Sequence, residues 1–149
     1  MEYVSLADMR RLELGISEER DRLLLNVLFE TGCTVEEALS LTSRNIAAKA
    51  IRIGTTNRAI SDALYAALKK QQGRFFSSAR GTLSQRRVQQ LIAQYGKTIL
   101  CRKLTPHMFR TGYIINQFLH NTPLHTIEQT LGIHSVQHYI YGYFHGRTP

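Results

Sequence analysis

Apolar positions recur with a helical period along most of this chain, and one stretch breaks into the two-residue alternation of a strand. Ser5 caps a short helix that runs from Leu6 to Leu14 and stops at Gly15. Ser17 signals the next start, with Glu18 and Glu19 in a first turn where acids complement the helix dipole. Leu23, Leu24, Val27 and Leu28 then form an apolar stripe, which places this helix in the core as far as Thr31 and Gly32. Thr34 and Glu37 read as a capping box for a helix through Ala38, Leu39 and Leu41 to about Thr42. Between Ile46 and Ile60, Ile51 and Ile53 flank Arg52, a turn follows from Gly54 to Asn57, and Ala59 and Ile60 return. That pattern predicts a β-hairpin.

The second half is helical again. Ser61 and Asp62 open a helix through Leu64, Leu68 and Lys70, the run from Gln71 to Arg74 ends it, and Phe75 and Phe76 return to the core. A polar loop from Ser78 leads to Ser84, which caps a helix whose Val88, Leu91, Ile92 and Tyr95 form one apolar face. Thr105 suits an N-cap and Pro106 the first helical position, so another helix starts there and runs through Tyr113, Ile114, Phe118 and Leu119 to Asn121, with Pro123 blocking further extension. Leu124 to Leu131 makes a last predicted helix, stopped by Gly132. The expected fold class is α+β, mostly α-helical with a small β-hairpin or sheet, in one domain of 149 residues.

Composition narrows the setting. With 43% hydrophobic residues, no long apolar run and a charged first segment, the chain reads as globular, without a membrane span or secretory leader, and cytoplasmic by default. Cys33 and Cys101 belong to no Cys-x-x-Cys pair, so two buried thiols are expected rather than a disulfide framework or a Cys-rich zinc site. A formal charge of +8 points to a polyanion, with nucleic acid ahead of a membrane surface.

The chemistry gathers between Leu104 and Arg110. His107 and Arg110 fall three apart on the first turns of a helix, near free backbone N–H groups and the positive end of its dipole, an arrangement that suits a phosphate. Arg80, Arg86 and Arg87 cluster at another helix start, where the dipole disfavours cations, which suggests a phosphate contact there as well. His134 and His138 share a metal-compatible spacing, but no carboxylate or Cys stands nearby in sequence, and no metal is expected.

His107-x-x-Arg110 after Leu104-Thr105-Pro106, the Leu131-Gly132 step with a His beside it, the count from Arg110 to Gly132 and the tyrosine-rich end together resemble the catalytic domain of tyrosine recombinases, the phage-integrase and Xer-like enzymes. The resemblance runs from about Ser5 to Tyr143, and it takes in the loop and helix after Gly81, similar to an element that faces DNA in the family. It implies site-specific DNA recombination or integration through a 3′-phosphotyrosyl intermediate, without cofactor or metal. Arg110 would hold the non-bridging oxygens, His107 would be a proton shuttle or second donor, and His134 would buttress the phosphate. The nucleophile is Tyr141 or Tyr143: the Ile140-Tyr141 pair matches the family's local pattern, whereas the family's nine-residue step from His134 reaches Tyr143. Tyr139 reads as a packing residue.

Two family features are missing. In the pattern Thr-Gly-Leu-Arg-x-x-Glu-Leu, Thr31, Gly32, Glu37 and Leu39 fit, but the first phosphate-gripping Arg is Thr34. The family's hairpin Lys, a general acid, has no counterpart in the turn; Lys49 lies just upstream and Arg58 just after, and both read as solvated hairpin charges able to reach DNA. Double-stranded DNA is the implied partner, with Lys49, Arg58, Arg80, Arg86 and Arg87 as contacts, self-association on DNA, and no role for a membrane. The family's N-terminal DNA-clamping domain has no counterpart, so residues 1–149 are expected to form a single catalytic-type domain. The missing Arg opens an alternative, a catalytically weakened or inactive DNA-binding relative that acts as a regulator or is a mobile-element remnant.

Overall fold

The computed structural model describes residues 2–78 and 81–146. Ser5 and Asp8 exchange side-chain and backbone hydrogen bonds at 3.0 and 3.1 Å, which closes a capping box and starts α1 (Leu6–Gly15). Helix α2 (Glu19–Thr31) begins two residues after Ser17 and ends on Gly32 in the left-handed conformation. An ideal Cβ at Gly32 would lie 2.4 Å from the Tyr113 ring, so both the turn and the close approach require glycine. The expected Thr34–Glu37 capping box is present at 2.9 and 3.1 Å, but the helix it opens, α3 (Val35–Leu39), is shorter than its apolar pattern suggested. Thr42 instead caps a separate 3-10 turn at Ser43–Asn45.

The hairpin is a three-stranded antiparallel sheet of β1 (Ile46–Ala47), β2 (Ala50–Ile53) and β3 (Thr56–Ala59), in that order. Ser61 caps α4 (Asp62–Lys69), after which Phe75 and Phe76 enter the core as expected. The polar loop beyond them carries a two-residue ladder, β4 (Ser77–Ser78) with β5 (Gly81–Thr82). Ser84 caps α5 (Gln85–Tyr95), which continues into a π turn at Gly96–Leu100. The chain ends with α6 (Pro106–Leu119), α7 (Leu124–Leu131) and α8 (Gln137–His145).

Helix α6 is the wall between two apolar clusters. Met108 and Phe109 join the larger one, built mainly from α1, α2, the sheet, α4 and α5. Tyr113, Ile114 and Ile115 join Ile127, Leu131, Val136 and Ile140 from α7, the following loop and α8. The N-terminal segment lies against α6, with Val4 N–H donating to the Met108 carbonyl at 3.0 Å. Gly112 makes that approach possible, since an ideal Cβ there would sit 2.1 Å from the Val4 carbonyl oxygen. Among the described residues no helix is long and apolar enough to cross a membrane.

Two expectations are corrected. Cys33 is buried, but Cys101 is exposed, because it takes the left-handed conformation that turns the chain out of the π turn. Arg58 is not a solvated hairpin charge: it is 6% exposed. Its strand position pairs it with Ile51, which is fully buried, so the two share the inner face of the sheet. The guanidinium donates to the Thr31 carbonyl at 3.0 Å, to the Thr130 carbonyl at 2.9 Å and to Thr56 Oγ1 at 3.1 Å. Those carbonyls end α2 and α7, so one cation caps two negative helix ends. Arg58→Met would orphan both carbonyls and is expected to lower stability by about 2–4 kcal/mol in a urea or thermal melt.

Candidate active site

A pocket of about 280 Å³ opens where three helices begin. Thr34 at the start of α3, Gln85 and Gln89 on α5, and His107 and Arg110 on α6 line it. Residues from the starts of α3, α5 and α6 therefore border one space, and the positive dipole ends of α5 and α6 there favour an anion. Pro106 opens α6 without an N–H of its own, Thr105 makes no side-chain cap bond, and the Met108 N–H donates to the Thr105 carbonyl at 3.1 Å, which leaves the His107 N–H as the first-turn donor for a ligand. At the pocket floor, burial pushes the Cys33 thiol up to about 11, so it stays protonated and adds no charge.

Arg110 is half-buried and donates one bond, at 3.2 Å, to the Leu131 carbonyl at the end of α7. That bond fixes one edge of the fork while the side chain lines the pocket. The His107 pKa lies below the ordinary 6.5, first because burial disfavours the imidazolium and then because Arg110 and His138 are close. Both effects favour the neutral ring, although the residue is open to solvent at the pocket's edge.

Thr34 offers the pocket little. Its hydroxyl accepts the Glu37 N–H and its own N–H is held by the Glu37 carboxylate, so the capping role expected from sequence occupies it.

The three tyrosines of α8 meet different surroundings. Two steps along a helix turn about 200°, so Tyr139 and Tyr143 share a side of α8 that Tyr141 does not. Tyr141 is 65% exposed, its ring stacked on His145 with centroids 3.9 Å apart. Tyr143 packs edge-on against Tyr3. Tyr139 is more than a packing residue, because its hydroxyl lies 3.4 Å from His107 Nε2. His134 is exposed in the loop before α8 and makes no hydrogen bond or ring contact among the described residues.

The expected DNA-contact residues scatter. Lys49 sits on the β1–β2 turn, 3.0 Å from the Asp62 carboxylate, and does not line the pocket. Arg86 and Arg87 are exposed on α5, but Gln85 and Gln89 are the residues of that helix that line the pocket; their one sequence signal is the four-residue spacing. Arg80 lies outside the described residues. Among the described residues no cluster of three or more His, Cys, Asp or Glu could hold a metal ion.

No family model matches the sequence, and no curated protein matches it. Solved structures do match. The XerA recombinase superposes with a TM-score of 0.81 at 20% identity, covering 100% of this chain and 65% of that one. The catalytic domain of bacteriophage HP1 integrase superposes with a TM-score of 0.66 at 19% identity, covering 97% of this chain and 88% of that domain. The fold is that of the tyrosine recombinase catalytic domain. XerH site-specific recombinase, solved in a pre-cleavage complex with its difH substrate, gives a TM-score of 0.75 at 18% identity over 94% of this chain and 49% of that one. The chain thus spans less than two thirds of XerA and about half of XerH. Within this recombinase fold the pocket has one arginine, one neutral histidine and three helix starts.

Arg110→Ala removes a cation beside His107 while leaving the burial. The His107 midpoint in an NMR titration is expected to lie below 6.5 in the wild type and to move up in the variant. A downward move or none would mean that Arg110 does not act on the ring.

Proposed function

We propose that this chain cuts and rejoins DNA strands as the catalytic portion of a site-specific recombinase or integrase, serving a mobile element in the cytoplasm. The observation that carries the reading is the convergence of Arg110, His107 and three helix N-termini on one anion-sized pocket beside a tyrosine-bearing helix. The phenol oxygen of an α8 tyrosine attacks the phosphorus of a DNA phosphodiester and the bond to the 5′ oxygen breaks. The products are a 3′-phosphotyrosyl link and a 5′-hydroxyl, with the phenol proton released and a proton taken up by the leaving oxygen. The phosphate bond is conserved in the adduct, so rejoining needs neither nucleotide nor metal. Arg110 holds the non-bridging oxygens, and the α5 and α6 N–H groups share the developing charge. Neighbours solved on DNA substrates, XerH among them, support DNA as the ligand.

A second reading has its own observation. Arg110 is the one arginine among the residues lining the pocket and the Thr34 hydroxyl is spent on its helix cap, which favours a DNA-binding relative with weak or absent cleavage. Losing one transition-state donor costs on the order of 100-fold in rate.

Both readings are separated by trapping. A pool of nicked duplexes of randomised sequence is incubated with the protein, and the denatured mixture is scored for a covalent DNA adduct. The cleavage reading expects an adduct, whose tyrosine is then found by peptide mass spectrometry, and expects Thr34→Arg to raise its rate by roughly 100-fold at about 1 kcal/mol of lost capping. Salt-sensitive binding without an adduct in either protein sinks that reading and leaves the non-cleaving binder.

A further inference from the structure

The contact between Tyr139 and His107 joins α8 to the pocket-lining helix α6. Tyr139 lies third in α8, half-buried, with its ring against His138 at a centroid distance of 3.9 Å and tilted toward His107 at 5.9 Å. Its hydroxyl lies 3.4 Å from His107 Nε2, longer than a well-formed hydrogen bond and close enough for a weak one. A neutral imidazole has one donor nitrogen and one acceptor nitrogen, and the bond made at one decides the other.

We propose that Tyr139 is a positioning residue for His107: its hydroxyl donates to Nε2 and holds the neutral ring in the tautomer that keeps its proton on Nδ1. A phenol O–H can donate to an unprotonated Nε2, and this hydroxyl makes no other hydrogen bond among the described residues. The groups facing the ring discourage an imidazolium. Arg110 on α6 and His138 on α8 both disfavour the charge, and burial acts in the same direction. Glu36, across the pocket at the start of α3, is the one carboxylate among the lining residues, and Gln85 and Gln89 are neutral.

The consequence rests on the phosphate reading of the pocket. With Nε2 occupied, His107 offers a phosphate oxygen an N–H from Nδ1 and serves as a neutral second donor, not as a proton shuttle. In a site short of one guanidinium, a donor fixed before the ligand arrives needs no reorganisation.

Nitrogen-15 histidine NMR on the whole chain, without DNA, tests the assignment. In the wild type at neutral pH, His107 is expected to be protonated on Nδ1. Tyr139→Phe keeps the ring and removes the hydroxyl, so His107 shifts toward the Nε2-protonated tautomer and its titration midpoint rises. His138→Gln also raises the midpoint but leaves the tautomer unchanged, which separates a local hydrogen bond from a general change in charge or packing. An Nε2-protonated ring in the wild type, or an unchanged tautomer in Tyr139→Phe, overturns the proposal. Because no DNA is present, this result is independent of adduct formation, and either idea can fail while the other stands.

Discussion

Arg58 donates to the final carbonyl of α2 and to the end of α7, and among the described residues no carboxylate forms a salt bridge with it. Its charge is balanced by helix ends, which carry partial negative charge where carbonyls lack intrahelical partners. Burial lowers its pKa, a trend opposed chiefly by the Glu37 carboxylate, yet a guanidinium holds its proton far above physiological pH. The arrangement sorts helix ends by sign. Carboxyl ends turn inward to a fixed cation, and the amino ends of α3, α5 and α6 are left facing the pocket.

Arg110 shares this logic. It binds the Leu131 carbonyl, next to the Thr130 carbonyl that Arg58 holds, so two arginines meet at one helix end from different sides. Arg58 is spent on structure, whereas Arg110 is only half-buried and still borders the pocket. Helix α7 also sets the entry into α8, because its Glu128 carboxylate accepts the Val136 N–H at 3.0 Å. Helix α7 thus helps to set where α8 begins, while α8 also packs directly on α6 through Tyr139 and His107.

How far the sequence could be read depended on the range of the interactions. The starts of α1, α3, α4 and α5 were legible because each is a side chain bonding backbone three residues away. His107 and Arg110 were legible together because three residues on a helix fix their relation regardless of the rest of the fold. Arg58 was not: a four-residue strand with polar residues on both sides gives no sign of which face is buried, and its partners are 27 and 72 residues away. Tyr139 was missed for a related reason. Tyrosines at every second position mimic a strand, and only the packing of α8 against α6 shows which one meets His107. The 20% identity with XerA fits this division, since a fold tolerates changes that keep local caps and buried faces.

Thr34 is exposed, and its side chain serves only the cap of a five-residue helix. Nothing in either apolar cluster leans on it. The position is therefore tied to the architecture through that cap alone. A substitution there would leave both apolar clusters as they are and would touch only one helix end. Foldability thus constrains this position weakly, and the chemistry offered at the pocket's edge can vary without leaving a trace in the shape of the fold.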